Sequence, residues 1–150
     1  MKSKVLFLLF LISFSQLITA QNFQKTDAGI KAKTQSMQIE MQFYSPEIVR
    51  VVKYPEGKIL DKTSLSVVKI ADKTGWQIAE SPNTVTFTSS KIKVELNLIT
   101  GRVSFSYSKG IQLFTEKDFG AQFTPTLDVK KDSYLVRQAF LLDKDEAIYG

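Results

Sequence analysis

The 150-residue sequence contains no cysteine and no histidine. The lack of cysteine excludes disulfides, thiolate metal sites and a cysteine nucleophile from this chain. The lack of histidine excludes a Ser-His-Asp triad and an imidazole zinc site. Any acid–base chemistry within the chain must therefore come from carboxylates, lysine or tyrosine.

Nucleotide-binding motifs are also lacking. The sequence has neither a Gly-x-Gly-x-x-Gly fingerprint nor a Walker loop. Asp118-Phe119-Gly120 matches the metal-binding tripeptide of protein kinases, but no glycine-rich loop or catalytic-loop motif accompanies it. We interpret this tripeptide as a chance match, and we expect no cofactor and no metal site in this chain.

The excess of positive charge is small and dispersed. The chain has 20 Lys and Arg against 15 Asp and Glu, which gives a net charge of +5. Apolar or acidic residues separate the central lysines, which are Lys53, Lys58, Lys62, Lys69 and Lys73. Proteins that bind nucleic acids usually gather their basic residues in one patch. We therefore expect no nucleic-acid partner.

Residues 1–20 have the pattern of a secretory signal peptide. Lys2 and Lys4 form a basic start, an apolar run follows, and Ala20 is a small residue at the expected cleavage position. A membrane anchor is the alternative, but polar residues interrupt the run from Ser13 onward, and a span needs about 20 apolar residues. We expect cleavage after Ala20, export to the periplasm or the exterior, a mature net charge of +3, and no membrane partner after cleavage.

Short segments of alternating apolar and polar residues fill most of the remaining chain. The clearest runs from Lys91 to Leu98, where every second residue is apolar. Gly101 follows in a turn where a positive φ is often needed, so we predict a hairpin there. The predicted strands are residues 37–43, 48–54, 65–70, 76–80, 84–89, 91–98, 103–107, 111–115 and 134–142.

Many short strands between Gly, Pro and Asp turns are typical of a β-sandwich. The sequence therefore predicts an all-β protein, with an antiparallel β-sandwich over residues 37–150. An N-terminal linker or short helix is expected at residues 21–36, with residues 24–35 as the possible helix. The chain ends on an apolar run, Ala147 to Tyr149, from which we expect the sandwich to be cut from something longer.

Aromatic side chains provide one candidate binding site. Together they could form a platform that stacks on pyranose rings; they are Trp76, Tyr44, Tyr54, Tyr107 and Tyr134. Aromatic residues are also favoured in strands as core residues, and we favour that interpretation for the set. Trp76 follows a turn and is expected to be partly exposed, so it is the candidate for carbohydrate binding.

One acidic cluster, Asp143, Asp145 and Glu146, could bind Ca²⁺ or act as a carboxylate pair in glycoside hydrolysis. The spacing of a calcium loop is incomplete, however, and catalytic carboxylates must face each other across a pocket. We favour a solvated turn between strands, and we predict no catalytic residue in this chain.

Two stretches of the chain resemble one known family. They read KIKVELNLITGRVSFSYSKG, residues 91–110, and FLLDKDEAIYG, residues 140–150. The combination resembles the N-terminal β-sandwich of glycoside hydrolase family 31, the α-glucosidase and α-xylosidase family. That family has a phrase of the type Phe-x-Leu-x-x-x-Glu-x-x-Tyr-Gly, matched here by Phe140, Leu142, Glu146, Tyr149 and Gly150.

The resemblance implies a portion of a galactose-mutarotase-like supersandwich, packed on a (β/α)₈ barrel downstream in the same polypeptide. It also implies a retaining mechanism on an α-linked oligosaccharide, in which one barrel Asp attacks the anomeric carbon and another protonates the leaving oxygen. No catalytic residue of the family carries over to this chain. We therefore predict the non-catalytic part of an exported α-glycosidase, which shapes the substrate pocket of the barrel.

Two other classes of function remain open. A stand-alone carbohydrate-binding module would require an exposed strip of aromatic residues. An interaction domain of the cell envelope is equally compatible with a β-sandwich. Such an interaction domain would have no large apolar patch for a barrel to cover.

Overall fold

The computed structural model describes residues 23–34, 36–60, 65–129 and 131–142. The predicted signal peptide and the acidic cluster at residues 143–146 lie outside these ranges. Within them no helix is long and apolar enough to cross a membrane. The described strands are β1 (Phe23–Thr26), β2 (Gly29–Thr34), β3 (Met37–Ser45), β4 (Ile48–Pro55), β5 (Trp76–Ser81), β6 (Thr84–Ser89), β7 (Ile92–Asn97), β8 (Val103–Tyr107), β9 (Gln112–Asp128) and β10 (Lys131–Leu141).

The strands form two antiparallel sheets that pack face to face. One sheet has four strands in the order β1-β2-β3-β4, and the other has six in the order β10-β9-β8-β7-β6-β5. Strands that follow each other in sequence are neighbours in space, except that the chain passes from one sheet to the other between β4 and β5. This arrangement confirms the predicted all-β fold and its antiparallel sandwich.

Alternating side chains from both sheets build the core. Every second residue of β3 from Met37 to Phe43 is buried, and β6 buries Val85 and Phe87 in the same way. The rings of Phe43 and Phe87 meet between the sheets, with centroids 4.6 Å apart. Because residues two apart share one face of a strand, the alternation in the sequence places these side chains between the sheets.

Most of the predicted strands between residues 37 and 107 are confirmed, with ends that differ by two residues at most. The turn before β8 is also confirmed, since Gly101 has a φ of 76°. The exception is the strand predicted at residues 65–70. That segment pairs with neither sheet, and Leu65 and Val68 are 99% and 94% exposed. This prediction was wrong because β-propensity without a pairing partner does not make a strand.

Residues 24–34, which belong to the segment predicted as a short helix or linker, instead contribute to the hairpin of β1 and β2. Ile30, Ala32 and Thr34 are buried, while Lys31 and Lys33 between them are exposed. The prediction was wrong because Lys and Ala are weak strand formers, which hides this period-two pattern. Pairing of β2 with β3 and burial of Ile30 determine the local conformation instead.

The last two strands are longer than predicted. β9 has 17 residues where the sequence predicted 111–115, and β10 begins before the predicted start at Tyr134. Gln138 of β10 pairs with Ala121 of β9, whereas Phe140 pairs with Glu116. Residues 117–120 therefore form a bulge in β9. The sequence predicted that β9 ends near the start of this bulge, because the bulge contains charged residues and a glycine.

Candidate functional site

The two sheets differ in width, and the difference lies at β9 and β10. Among the described residues, β4 is paired on one side, by β3, and its other edge has no neighbouring strand. β4 lies against β9, so the six-stranded sheet continues beyond it to β10. One face of the β9–β10 hairpin therefore continues the inner surface of the sandwich without being covered by the four-stranded sheet.

This uncovered surface, which we call the open face, is mainly apolar, although Glu116, Asp132 and Gln138 also lie on it. Residues paired across two strands share a face, as do residues two apart on one strand. By this rule the open face contains Phe114, Phe123, Leu127, Tyr134, Val136 and Phe140. The opposite face carries mainly polar pairs, such as Gln122 with Arg137 and Thr126 with Ser133. Such alternation is typical of strands with one buried face, yet Leu127 is 71% exposed and Val136 is 59% exposed.

A buried ion pair lies at the boundary of the open face and joins the two sheets. Lys53 of β4 contacts Glu116 of β9 and also donates a hydrogen bond of 2.8 Å to the carbonyl of Gly101. Glu116 accepts hydrogen bonds from the Val103 amide at 2.7 Å and from Gln138 Nε2 at 3.1 Å. The side chains of Lys53 and Glu116 are only 5% and 2% exposed.

The electrostatics of this pair point to a structural role. Burial lowers the pKa of Lys53 because the ammonium loses its water, and the hydrogen bond and charge of Glu116 offset part of that effect. The carboxylate of Glu116 is held by Lys53, by Val103 and by Gln138. These contacts fix β9 against β4.

The bulge at residues 117–120 lies against this pair. A Cβ atom at Gly120 would lie 2.2 Å from Glu116 Oε2 and 2.6 Å from Lys53 Nζ. Gly120 also has a φ of 75°, and Asp118 has a φ of 52°. Only glycine fits position 120, because it lacks the Cβ and tolerates this backbone conformation. Asp118-Phe119-Gly120 thus forms most of a backbone bulge at the ion pair.

Two cavities of 390 Å³ each flank the ion pair along β4. The cavity at the start of β4 is lined mainly by apolar side chains, including Ile48, Val49, Val51, Phe105, Phe114 and Phe140. The cavity at the end of β4 is more mixed and includes Met37, Pro55, Glu56, Phe119, Phe123 and Tyr134. We call these two cavities, at the two ends of β4, the β4 groove.

The outer face of the four-stranded sheet has a different character, because it carries a network of hydrogen-bonded and ion-paired polar side chains. Glu40 accepts a hydrogen bond of 2.7 Å from the Tyr54 hydroxyl and lies 3.0 Å from Lys31 Nζ. Burial raises the pKa of Glu40, but these two partners outweigh it and hold the pKa below its ordinary value of 4.5. Burial and the bond to Glu40 raise the pKa of Tyr54 to about 12. This polar network is fully partnered, unlike the apolar open face.

Trp76, the candidate from the sequence, begins β5 and is partly exposed. Its ring packs edge-on against Phe87 with centroids 4.9 Å apart, and Lys25 Nζ lies 5.5 Å from its ring centroid. Its Nε1 donates a hydrogen bond of 2.9 Å to the carbonyl of Asp72. These contacts attach the indole to the core and occupy its polar atom.

The structure does not bring the candidate aromatic residues together. Trp76 lies on β5 and Tyr134 on β10, which are opposite edges of the six-stranded sheet. Tyr44 is buried in the four-stranded sheet, and Tyr54 bonds to Glu40 on the outer face. Tyr107 is 51% exposed at the end of β8. These five residues therefore form no common platform for a sugar.

Sequence reasoning missed the ion pair between the sheets. Lys53 was considered only as one of several dispersed lysines. A signal was available, since Lys53 falls at the period-two positions of Val49 and Val51 and so on the inner face of β4. For Glu116 the signal was ambiguous, because Leu113 and Phe114 are both apolar and the sequence alone does not show which of them faces inward; Phe114 does, and Glu116 shares its face.

Comparisons with known proteins agree with this architecture. The family described as "Glycosyl hydrolase 31 N-terminal galactose mutarotase-like domain" matches residues 38–150. The crystal structure of a GH31 alpha-xylosidase from Xanthomonas citri is similar, with 25% sequence identity and a TM-score of 0.73 over 81% of this chain. An uncharacterised protein from Listeria monocytogenes EGD-e, solved with glucose, magnesium and calcium, has 17% identity and a TM-score of 0.49 over 63% of this chain. The chain spans 14% of the length of the xylosidase and 9% of that of the Listeria protein.

Proposed function

Because the chain belongs to the glycosyl hydrolase 31 N-terminal galactose mutarotase-like domain family, we propose that it is the non-catalytic N-terminal sandwich of an exported α-glycosidase. Its partner in this proposal is a catalytic barrel downstream in the same polypeptide. The substrate is an α-linked oligosaccharide, and the similar structure from Xanthomonas citri is that of an alpha-xylosidase.

The open face is the observation that carries this proposal. Large apolar patches exposed on a soluble protein usually mark surfaces that another chain or domain covers. Here the patch continues the interior of the sandwich beyond β4, and Leu127, Val136 and Phe140 are exposed on it. A chain whose interior surface continues without cover is suited to be one part of a larger folded unit.

In the proposed enzyme the sandwich acts by rigidity and position. The ion pair of Lys53 with Glu116 fixes β4 to β9, and the bulge at Gly120 packs against that pair. A firm surface of this kind can hold the wall of a substrate pocket in place, which matters because small displacements of catalytic groups cost large factors in rate. The two carboxylates of a retaining glycosidase, about 5 Å apart, would belong to the barrel.

Export is part of the proposal. Its support is the sequence of residues 1–20, with a basic start, an apolar run and a small residue at position 20. Cleavage after Ala20 would deliver the sandwich to the periplasm or the exterior.

The test compares the isolated chain, residues 21–150, with the longer natural polypeptide that contains it. Both are assayed against aryl α-glucosides and aryl α-xylosides. We expect turnover from the longer polypeptide and none from the isolated chain. Robust turnover by residues 21–150 alone would refute the non-catalytic assignment, and a longer polypeptide inactive on all α-glycosides would refute the parent activity.

A further inference from the structure

We propose that a pocket beside Trp76 binds a pyranose that carries a carboxylate, of the kind that uronic acid residues supply in acidic polysaccharides. We call it the Trp76 pocket, and its lining includes Lys25, Thr26, Asp27, Lys73, Thr74 and Trp76. The proposed function assigns no role to this pocket.

The Trp76 pocket lies at the edge of the sandwich opposite the open face. Among the described residues, β1 is the last strand of the four-stranded sheet and β5 the last of the six-stranded sheet, whereas the open face belongs to β9 and β10. The turn after β1 supplies Asp27, and the turn before β5 supplies Lys73 and Thr74. The cavity volume of 610 Å³ is within the range of about 300–1,000 Å³ that is usual for small-ligand sites.

The indole of Trp76 is a rigid wall of this pocket. Its edge-on contact with Phe87 and the hydrogen bond from Nε1 to the carbonyl of Asp72 hold the ring in one orientation. The side chain is nonetheless only partly buried. A fixed aromatic ring can bind the apolar face of a pyranose with little loss of side-chain entropy. The hydroxyls of Thr26 and Thr74 line the same pocket and can exchange hydrogen bonds with those of a sugar.

Two lysines make the Trp76 pocket suitable for an anionic sugar. Lys25 Nζ lies over the indole, 5.5 Å from its ring centroid, and Lys73 Nζ lies 3.9 Å from the carboxylate of Asp27. The side chains of Lys73 and Asp27 are 69% and 91% exposed, so this ion pair is weak and can rearrange around a ligand. Because the lining contains two ammonium groups and one carboxylate, the pocket keeps a positive charge.

The position of Lys25 favours an acidic sugar over a neutral one. A pyranose that stacks on the indole must displace this ammonium group from the ring. A neutral sugar offers the displaced charge only hydroxyl groups, whereas a uronate offers a carboxylate, and charge-assisted hydrogen bonds are about twice as strong as neutral ones. Asp27 argues against a phosphate-bearing ligand, because a phosphate would bring roughly two negative charges to a pocket that already contains one.

Fluorine NMR of the longer natural polypeptide tests the proposal at Trp76 itself. The protein is labelled with fluorotryptophan, and the Trp76 signal is the one that a Trp76→Phe variant lacks. The probes are methyl β-glucuronoside and methyl β-glucoside, which differ only in whether the exocyclic carbon is a carboxylate or a hydroxymethyl group. As β-glycosides they are not substrates of an α-glycosidase. We expect the glucuronoside to shift the Trp76 signal saturably and the glucoside to bind about tenfold more weakly, the factor that one hydrogen bond to a charged group supplies.

Charge variants of the pocket should change the affinity in opposite directions. Lys25→Met and Lys73→Met should each weaken binding of the glucuronoside several-fold without weakening that of the glucoside, because each removes one partner of the carboxylate. Both lysines are exposed, so we expect these variants to fold. Asp27→Asn should strengthen binding of the glucuronoside several-fold, because it removes the carboxylate that competes for Lys73. The matched control is Lys31→Met, which removes a lysine from the outer face of the four-stranded sheet and should leave both affinities unchanged.

Several outcomes would overturn the proposal. Equal affinities for the two glycosides would show that the carboxylate is not recognised, and an equal response to acetate would show that the sugar ring is not. A Trp76 signal that neither glycoside shifts would show that the pocket binds no sugar of this class. Tighter binding of adenosine monophosphate than of the glucuronoside would assign the pocket to nucleotides. If the longer polypeptide shows the expected shifts but is inactive on all α-glycosides, the proposed function fails and the Trp76 pocket stands.

Discussion

The pair of Lys53 and Glu116 shows how two side chains determine the contact between the sheets. Burying each charge alone would cost several kcal/mol, and the attraction between them offsets this only when the remaining hydrogen-bonding capacity is used. That condition is met here, because Lys53 also reaches Gly101 and Glu116 also holds Val103 and Gln138. Removing one partner should therefore lower the free energy of unfolding by far more than the complete pair raises it relative to apolar residues at both positions.

Lys53→Met is the variant that exposes this cost. It leaves the carboxylate of Glu116 buried without its counter-charge, and we expect the free energy of unfolding to fall by about 3–5 kcal/mol. Urea titration gives the value. The matched control is Lys31→Met, which breaks an ion pair whose lysine is 55% exposed, and there we expect a loss below about 1 kcal/mol. Equal losses for the two variants would show that the buried pair has no special role.

At the scale of the elements, the bulge in β9 links local backbone conformation to the ion pair. Gly120 lies against Glu116 Oε2 and Lys53 Nζ with no space for a methyl group. The bulge also changes the register with β10 between Gln138 and Phe140. Gly120, which a hydrophobicity pattern does not reveal, thus helps to position both the β9–β10 hairpin and the buried ion pair.

Gly120→Ala should destabilise the chain more than a glycine replacement in open space. Gly75 provides the control, since its φ of 83° is close to the 75° of Gly120 and nothing lies within 4 Å of its Cβ position. We expect Gly75→Ala to cost about 1–2 kcal/mol from backbone strain, and Gly120→Ala to cost on the order of 3 kcal/mol or more because the added methyl displaces the ion pair. Urea unfolding measures both, and similar losses would contradict the packing seen at the bulge.

The elements also show where sequence reasoning works and where it fails. β6 and β7 were predicted closely because apolar residues occupy alternate positions, and the same alternation buries Val85, Phe87, Val94 and Leu96. The bulge at residues 117–120 was missed because it depends on pairing with β10, which no local pattern records. The prediction of a strand at residues 65–70 was wrong for a related reason: a segment forms a strand only where a partner strand pairs with it, whatever its β-propensity.

Trp76 was singled out by residue type and by its place after a turn. Its ring packs against Phe87 and lies near Lys25, and its role in carbohydrate binding stays a prediction. An exposed apolar face was expected from the family resemblance, but its position was not, because the open face arises from the unequal widths of the two sheets. Sheet order depends on the whole chain, so a sequence read segment by segment predicts the strands and not the place of this face.

At the scale of the whole molecule, the isolated chain should behave as a sandwich with part of its interior uncovered. Phe140 and Leu141 are adjacent, and they are 43% and 47% exposed on opposite faces of β10. Phe140 meets Phe114 edge-to-face on the open face, with centroids 5.6 Å apart, whereas Leu141 pairs across the strands with Thr115 on the polar side.

A hydrophobic dye binds to a contiguous apolar surface and not to a single exposed side chain. We therefore expect residues 21–150 to bind anilinonaphthalene sulfonate, Phe140→Thr to weaken that binding several-fold, and Leu141→Thr to leave it nearly unchanged, all measured by fluorescence titration. A monomeric chain that binds no dye, or two variants that respond alike, would mean that the open face does not present the continuous apolar surface that packing against a further part of the polypeptide requires.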